Sequence, residues 1–262
     1  MIRSAGRSLM LRGETSAADW VADHPEWWSL SVSAVAWLVL LCHGSVSHPS
    51  ALCLASAPDA TGGFTDNVWA AWRGGALGFM LLGWSTMTLA MMPPLAIPLI
   101  RHVAVRSFAV RRRRAVAAFL VGALGVWLLL GFVGLPILAG ASLSLFGDPA
   151  VAACGFLGAA LWQLTPMKRR ALLRCHRTFP LTPIGWRADR DCAGYGFAYG
   201  RDCVASCWAM MLATVLASHG PVVMLCVQFI ALAERQARQP RLLLSALVLT
   251  ACAALMLVGI RI

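Results

Sequence analysis

Charge is what this chain has least of. Asp, Glu, Lys and Arg make up 13% of its 262 residues, against 59% that are hydrophobic. That excludes an ordinary water-soluble domain, in which about a quarter of residues are charged. Lysine is almost missing: Lys168 is the single one, so the net charge of +11 is carried by arginine. Acidic residues are absent from every long uncharged run, and Asp148 and Glu234 only border such runs. This argues against a carboxylate-coupled pump and against a carboxylate-rich di-metal enzyme in a membrane core. The patterns G-x-x-x-x-G-K-[ST], G-x-S-x-G and H-E-x-x-H do not occur, which removes P-loop, nucleophile-elbow and zincin chemistry. There is no fixed-period repeat and no low-complexity tract. The first 26 residues lack the unbroken apolar core and cleavage site of a signal peptide, so the N-terminus is expected to be retained. The nine cysteines are odd in number and widely scattered, so they set no disulfide framework and are expected to be mostly free thiols.

What is present is a series of apolar runs. Stretches free of Asp, Glu, Lys and Arg cover 27–58, 74–100, 115–147, 149–167, 203–233 and 242–260. Each holds the roughly 20 residues needed to cross a hydrocarbon core of about 30 Å, and none shows the period-2 alternation of a barrel strand. The expected fold class is all-α, a polytopic membrane bundle of about six transmembrane helices near 28–43, 74–92, 116–138, 149–165, 203–219 continuing toward 232, and 242–260. Residues 1–27 are read as a cytoplasmic N-terminal segment and 28–262 as a single transmembrane domain. Arginine-rich segments 101–114 and 168–202 are the expected cytoplasmic loops, because 44–67 and 139–148 carry no basic residue and basic loops stay inside. This predicts that the N-terminus lies in the cytoplasm as well. The glycines and prolines of 168–202 predict an irregular loop. Gly220 and Pro221 divide the 203–233 run, which is read as one kinked span. Because the arginines sit between apolar runs, the partner they imply is the lipid bilayer and not nucleic acid. The run from Lys168 to Arg177 is read in the same way, as an orienting and lipid-contacting segment.

Sulfur is the second positive feature. On a helix Met80, Trp84, Met87 and Met91 share one face, with Met92 beside them, and Pro93 and Pro94 are expected to disturb the helix next. A second group comprises Cys203 and Cys207, four residues apart, with Met210 and Met211 one turn further on. Thiols and thioethers suit Cu(I) better than Mg, Ca or Mn. The plain alternative is that these methionines fill gaps between helices and that the cysteines are small packing residues. With both basic loops on one side, Met87, Met91, Met92, Cys203, Cys207, Gln163, Lys168, Cys175 and His176 all fall at the same leaflet. Among the histidines only His219 is expected within the bilayer, although His43 stands near its outer side. Haem or Cu(II) ligation would need two imidazoles on facing helices. Cys192 and Cys203 flank a glycine-rich stretch and are expected to remain thiols in a reducing compartment.

Several pieces of sequence resemble a bacterial family of predicted metal-binding integral membrane proteins, a domain of unknown function. They are Trp84 through Met87, Ala90, Met91, Met92 and Pro93; Gly122 to Trp127; Trp162, Gln163, Pro166, Met167 and Lys168 with Cys175; and Cys203, Ser206, Cys207, Trp208, Met210 and Met211 followed by Glu234. The likeness runs in order from about 75 to 240. It implies a multi-span helical protein associated with a metal ion, copper above all, and points to Met87, Met91, Met92, Gln163, Lys168, Cys175, Cys203, Cys207 and Glu234. The chain departs from the family where it has Ser206 and Ala171, positions at or near which cysteine is frequent, and at Ala123, where an aromatic is frequent. A required cysteine at the first of these would weaken metal binding here.

Three functions follow as expectations. The first is a membrane protein that holds or relays a soft ion such as Cu(I), with a metal donor or acceptor protein, or a membrane complex, as partner. The second is a structural or assembly subunit without metal. The third is a membrane metallo-oxidoreductase using the sulfur cluster with His219. No residue pattern decides whether the protein is an enzyme.

Overall fold

The computed structural model describes residues 24–45, 63–141, 148–182, 185–237 and 239–258, and among these every regular element is helical. In chain order they are α1 (Trp27–Ser45), α2 (Phe64–Arg73), α3 (Ala76–Leu95), α4 (Ile97–Val105), α5 (Arg112–Ala141, entered through a 3₁₀ turn), α6 (Pro149–Gln163), α7 (Pro166–Arg174), α8 (Gly185–Leu216), α9 (Pro221–Gln236) and α10 (Leu242–Leu257). Helix starts follow local chemistry. Asp148 caps α6 by accepting from the backbone N–H groups of Ala150 and Val151, at 2.7 and 3.2 Å, and Thr165 caps α7 through Lys168 N–H at 3.2 Å. Each cap is followed by proline at the first helical position, where no N–H is needed.

Among the described residues a count of six spans is not confirmed. By length and composition α3 and the 33 residues of Ala109–Ala141 can cross a membrane, and α6 with α7, bent by 74°, supplies a third span if that pair counts as one. Counting uncharged runs overlooks where helices stop. Two further expectations are corrected. The segment 168–202 is not an irregular loop: α7 and the first half of α8 occupy most of it. The 203–233 run is not one kinked span but the end of α8 and most of α9, separated where Ser218 and His219 both take a left-handed backbone (φ 57°) before Gly220 and Pro221. His48, Cys53 and Arg238 lie outside the described residues, as does the side chain of His43.

Helix α8 lies along α5, and the glycines that suggested a loop are the reason. A Cβ at Gly196 would stand 1.9 Å from the carbonyl oxygen of Phe119, one at Gly200 2.6 Å from that of Ala123, and one at Gly122 2.3 Å from that of Ala193. Backbones approach this closely only where side chains are absent. Phe119 then packs against Tyr195 and Tyr199, with ring centroids 5.3 and 5.7 Å away. Helix α3 joins the same core through Trp84, which lies against Gly131 and donates from Nε1 to the carbonyl of Trp127 at 2.8 Å.

The two prolines do not break α3 where they stand; it continues to Leu95. Pro94 has no N–H for the carbonyl of Ala90, which is left without its helical donor. Ser33 of α1 supplies one, its hydroxyl donating to that oxygen at 2.5 Å. Helix α1 is held further by Glu26, whose carboxylate accepts from Arg101 at 2.5 Å.

Candidate metal centre

Met92 comes from the last turn of α3, Cys203 and Cys207 from one face of α8, Lys168 from the first turn of α7, and Glu234 and Arg235 from the last turn of α9. The bundle brings these four helices together. Met92 Sδ is 3.8 Å from Cys203 Sγ, and Cys207 follows Cys203 by four residues on the same face of α8. All three side chains are buried. Sulfur donors bound at about 2.3 Å to one trigonal centre stand about 4 Å apart, so the Met92–Cys203 separation, an ordinary sulfur–sulfur contact, is also compatible with a shared soft ion.

Charge surrounds this sulfur. Lys168 is fully buried, its Nζ 2.7 Å from Glu234 Oε2 and donating to the carbonyl of Ser206 at 2.8 Å. Arg235 donates from Nη2 to Cys203 Sγ at 3.0 Å and from Nη1 to Tyr199 Oη at 2.8 Å, with its guanidinium over the Tyr199 ring. Lys168 and Glu234 cancel as an ion pair, as do Asp202 and Arg201 at 3.5 Å, and Arg235 leaves one positive charge in excess. Two thiolates would turn that excess into a single negative charge, which one monovalent cation neutralises and a divalent cation overshoots. Burial makes that difference expensive.

Ser206 stands where the resembling family often has cysteine. Its hydroxyl contacts Cys207 Sγ at 3.3 Å and Cys175 Sγ at 3.9 Å and donates to the carbonyl of Cys203 at 2.9 Å. The hydroxyl thus lies between the thiols of Cys175 and Cys207 without being a soft donor. Among the described residues no three His, Cys, Asp or Glu side chains form a ready metal group, so an ion here depends on thioether as well as thiol.

The other sequence candidates divide. Met210 is buried and accepts a hydrogen bond at its sulfur from Gln163 Nε2 at 3.2 Å, while Gln163 Oε1 has no partner. Met87, Met91 and Met211 are buried in the core. His219 stands apart. It follows the end of α8, more than two turns or about 13 Å beyond Cys207, and its ring lies beside Gly83 with Nε2 buried and unpartnered.

Sequence reasoning missed Arg235 and Tyr199 and misjudged Lys168. An arginine directly after Glu234 at the end of an apolar run is the one sequence signal for Arg235 as part of a buried site. Lys168 reads as one more loop cation until its fully buried position is known.

A family model described as PpoB2, copper chaperone, matches residues 81–261, more than half of the chain. Neither a curated protein nor a solved structure matches.

Proposed function

The chain belongs to the PpoB2 copper chaperone family, and from that premise we propose that it is a membrane-embedded carrier of Cu(I), holding the ion on Cys203, Cys207 and Met92 and passing it to a partner protein or membrane complex. The observation that carries the reading is the buried sulfur trio set beside Arg235 and the Lys168–Glu234 pair. Arg235 donates a hydrogen bond to Cys203 Sγ, and Tyr199 holds Arg235 in position. The cargo replaces thiol protons, so loading releases protons and is favoured as pH rises. Met210, with Gln163 on its sulfur, and Met211 continue the soft lining of α8, and Met87 and Met91 continue that of α3. Cys175, across Ser206, is the nearest further thiol and a suitable exchange ligand on the route in or out.

In this reading the protein sits in a bacterial inner membrane with the arginine-rich segments on the cytoplasmic side. The short apolar helices α1 and α10 and the apolar half of α8 complete the bundle around α3 and α5, local thinning of the bilayer accommodating their length. Handling of copper by the site is tested by loading detergent-purified, reduced protein with Cu(I) and measuring retained metal. Wild type is expected to hold copper at Cys203 and Cys207, and the Cys203→Ala/Cys207→Ala variant to lose that equivalent. Equal copper in both proteins would leave the sulfur as packing only.

A further inference from the structure

A second pair of thiols lies outside this centre. Cys226 of α9 and Cys252 of α10 face each other with their sulfurs 3.9 Å apart. Cys252 is buried and Cys226 is partly exposed. Met256 follows Cys252 by four residues on α10, hence on the same face one turn further, and is also buried, whereas its neighbours Leu255 and Leu257 are exposed. Along α9, Cys226 precedes Glu234 by eight residues, about 12 Å of helix. The two thiol sets therefore sit at different depths of the bundle.

The two thiols are in contact, so one soft ion could reach both sulfurs by side-chain adjustment alone. A disulfide would need about 2.05 Å between sulfurs and a two-electron oxidant as well. Two sulfurs 3.9 Å apart already stand at the spacing of donors sharing one soft ion.

We propose that Cys226, Cys252 and Met256 form a second Cu(I) station, independent of Cys203 and Cys207. The ion displaces the proton of one thiol to water, giving a neutral thiolate–copper unit suited to apolar surroundings. The other thiol and the Met256 thioether complete the soft environment, and no electron is transferred. The choice of copper as the ion rests on the proposed function; the existence of the station does not.

The test loads reduced, detergent-purified full-length protein with Cu(I) alone, under competition with a chromophoric chelator. Wild type is expected to bind two equivalents, and the Cys226→Ser/Cys252→Ser and Cys203→Ala/Cys207→Ala variants one each. X-ray absorption of the latter variant should show sulfur coordination only. A second measurement uses the wild type and so does not depend on a variant folding: the second equivalent of Cu(I) should protect Cys226 from alkylation, read by mass spectrometry. Wild-type stoichiometry in the Cys226→Ser/Cys252→Ser variant, or alkylation of Cys226 unchanged by copper, overturns the station. Loss of copper only from this variant, with none lost on removing Cys203 and Cys207, would support the station while defeating the carrier site proposed above.

Discussion

Two interfaces of α8 are built on opposite rules. Toward α5 it presents Gly196 and Gly200, and backbone meets backbone with almost nothing between. Toward α3, α7 and α9 it presents two thiols and receives a lysine, a glutamate, an arginine and a thioether. Glu234 Oε1, Gln163 Oε1 and Arg235 Nε are buried there without partners. A fold optimised only for stability would not collect unsatisfied polar atoms beside buried charge. The glycine seam fixes where α8 lies, and the proposed copper site is what would offset the cost of the polar side.

The sharpest way to separate the two sides is to remove one member of the buried ion pair. Lys168→Met is expected to destabilise the protein by about 3–5 kcal/mol, since Glu234 would remain as an unpaired buried charge. The Lys168→Met/Glu234→Leu double variant should recover most of that loss. Thermal or denaturant unfolding in detergent measures both, and a double variant no more stable than the single one would contradict the pairing. Next in size, Arg235→Gln should weaken Cu(I) binding about 10–100-fold, the usual cost of removing a group that supports a ligand. Chelator competition reads this, and the fold should remain intact.

The glycine side should respond in the opposite way. Gly196→Ala is expected to cost about 1–3 kcal/mol through overpacking against Phe119, with copper per folded molecule unchanged. Gly194→Ala, whose new methyl meets open space, should be neutral or stabilising by up to about 1 kcal/mol. If both alanines destabilise equally, the seam is not a contact of backbones.

The smallest effect lies at α1. Burial pushes the Glu26 carboxyl up, but the hydrogen bond from Arg101, aided by its own backbone and the charges of Arg101 and His24, brings it below its ordinary value of 4.5. The contact therefore stabilises the folded state above that ordinary value, and the gain disappears as pH falls through the lowered one. Arg101 is largely exposed, so solvent screens the contact. Stability measured from pH 7 down to pH 3 should show a slightly shallower acid loss in Glu26→Gln than in wild type.

The helical class and the α8 sulfur face were legible in the sequence because each depends on local spacing: uncharged runs make helices, and an interval of four places Cys203 and Cys207 on one side. Lys168 and Glu234 were not legible as a pair. They are far apart in sequence, and each alone looks like a charge ending an apolar run, so only the family resemblance pointed to both. The glycines of 168–202 misled for a related reason. Glycine marks a turn when its neighbours lack a packing partner, and Phe119, Gly122 and Ala123, which supply that partner, lie more than 60 residues away in another helix. The break at Ser218–Gly220 was visible as Gly220 and Pro221, but local sequence does not say whether such a break bends a helix or ends it.

The hydroxyl of Ser33 carries a consequence for the thioether of Met92. Because Pro94 strips Ala90 of its helical donor, the turn of α3 that contains Met91 and Met92 is completed by a different helix, and the α1–α3 spacing becomes part of the geometry of the proposed site. A change that never touches sulfur, as small as Ser33→Ala, would leave that oxygen bare two residues before Met92 and loosen the one donor that α3 extends toward Cys203.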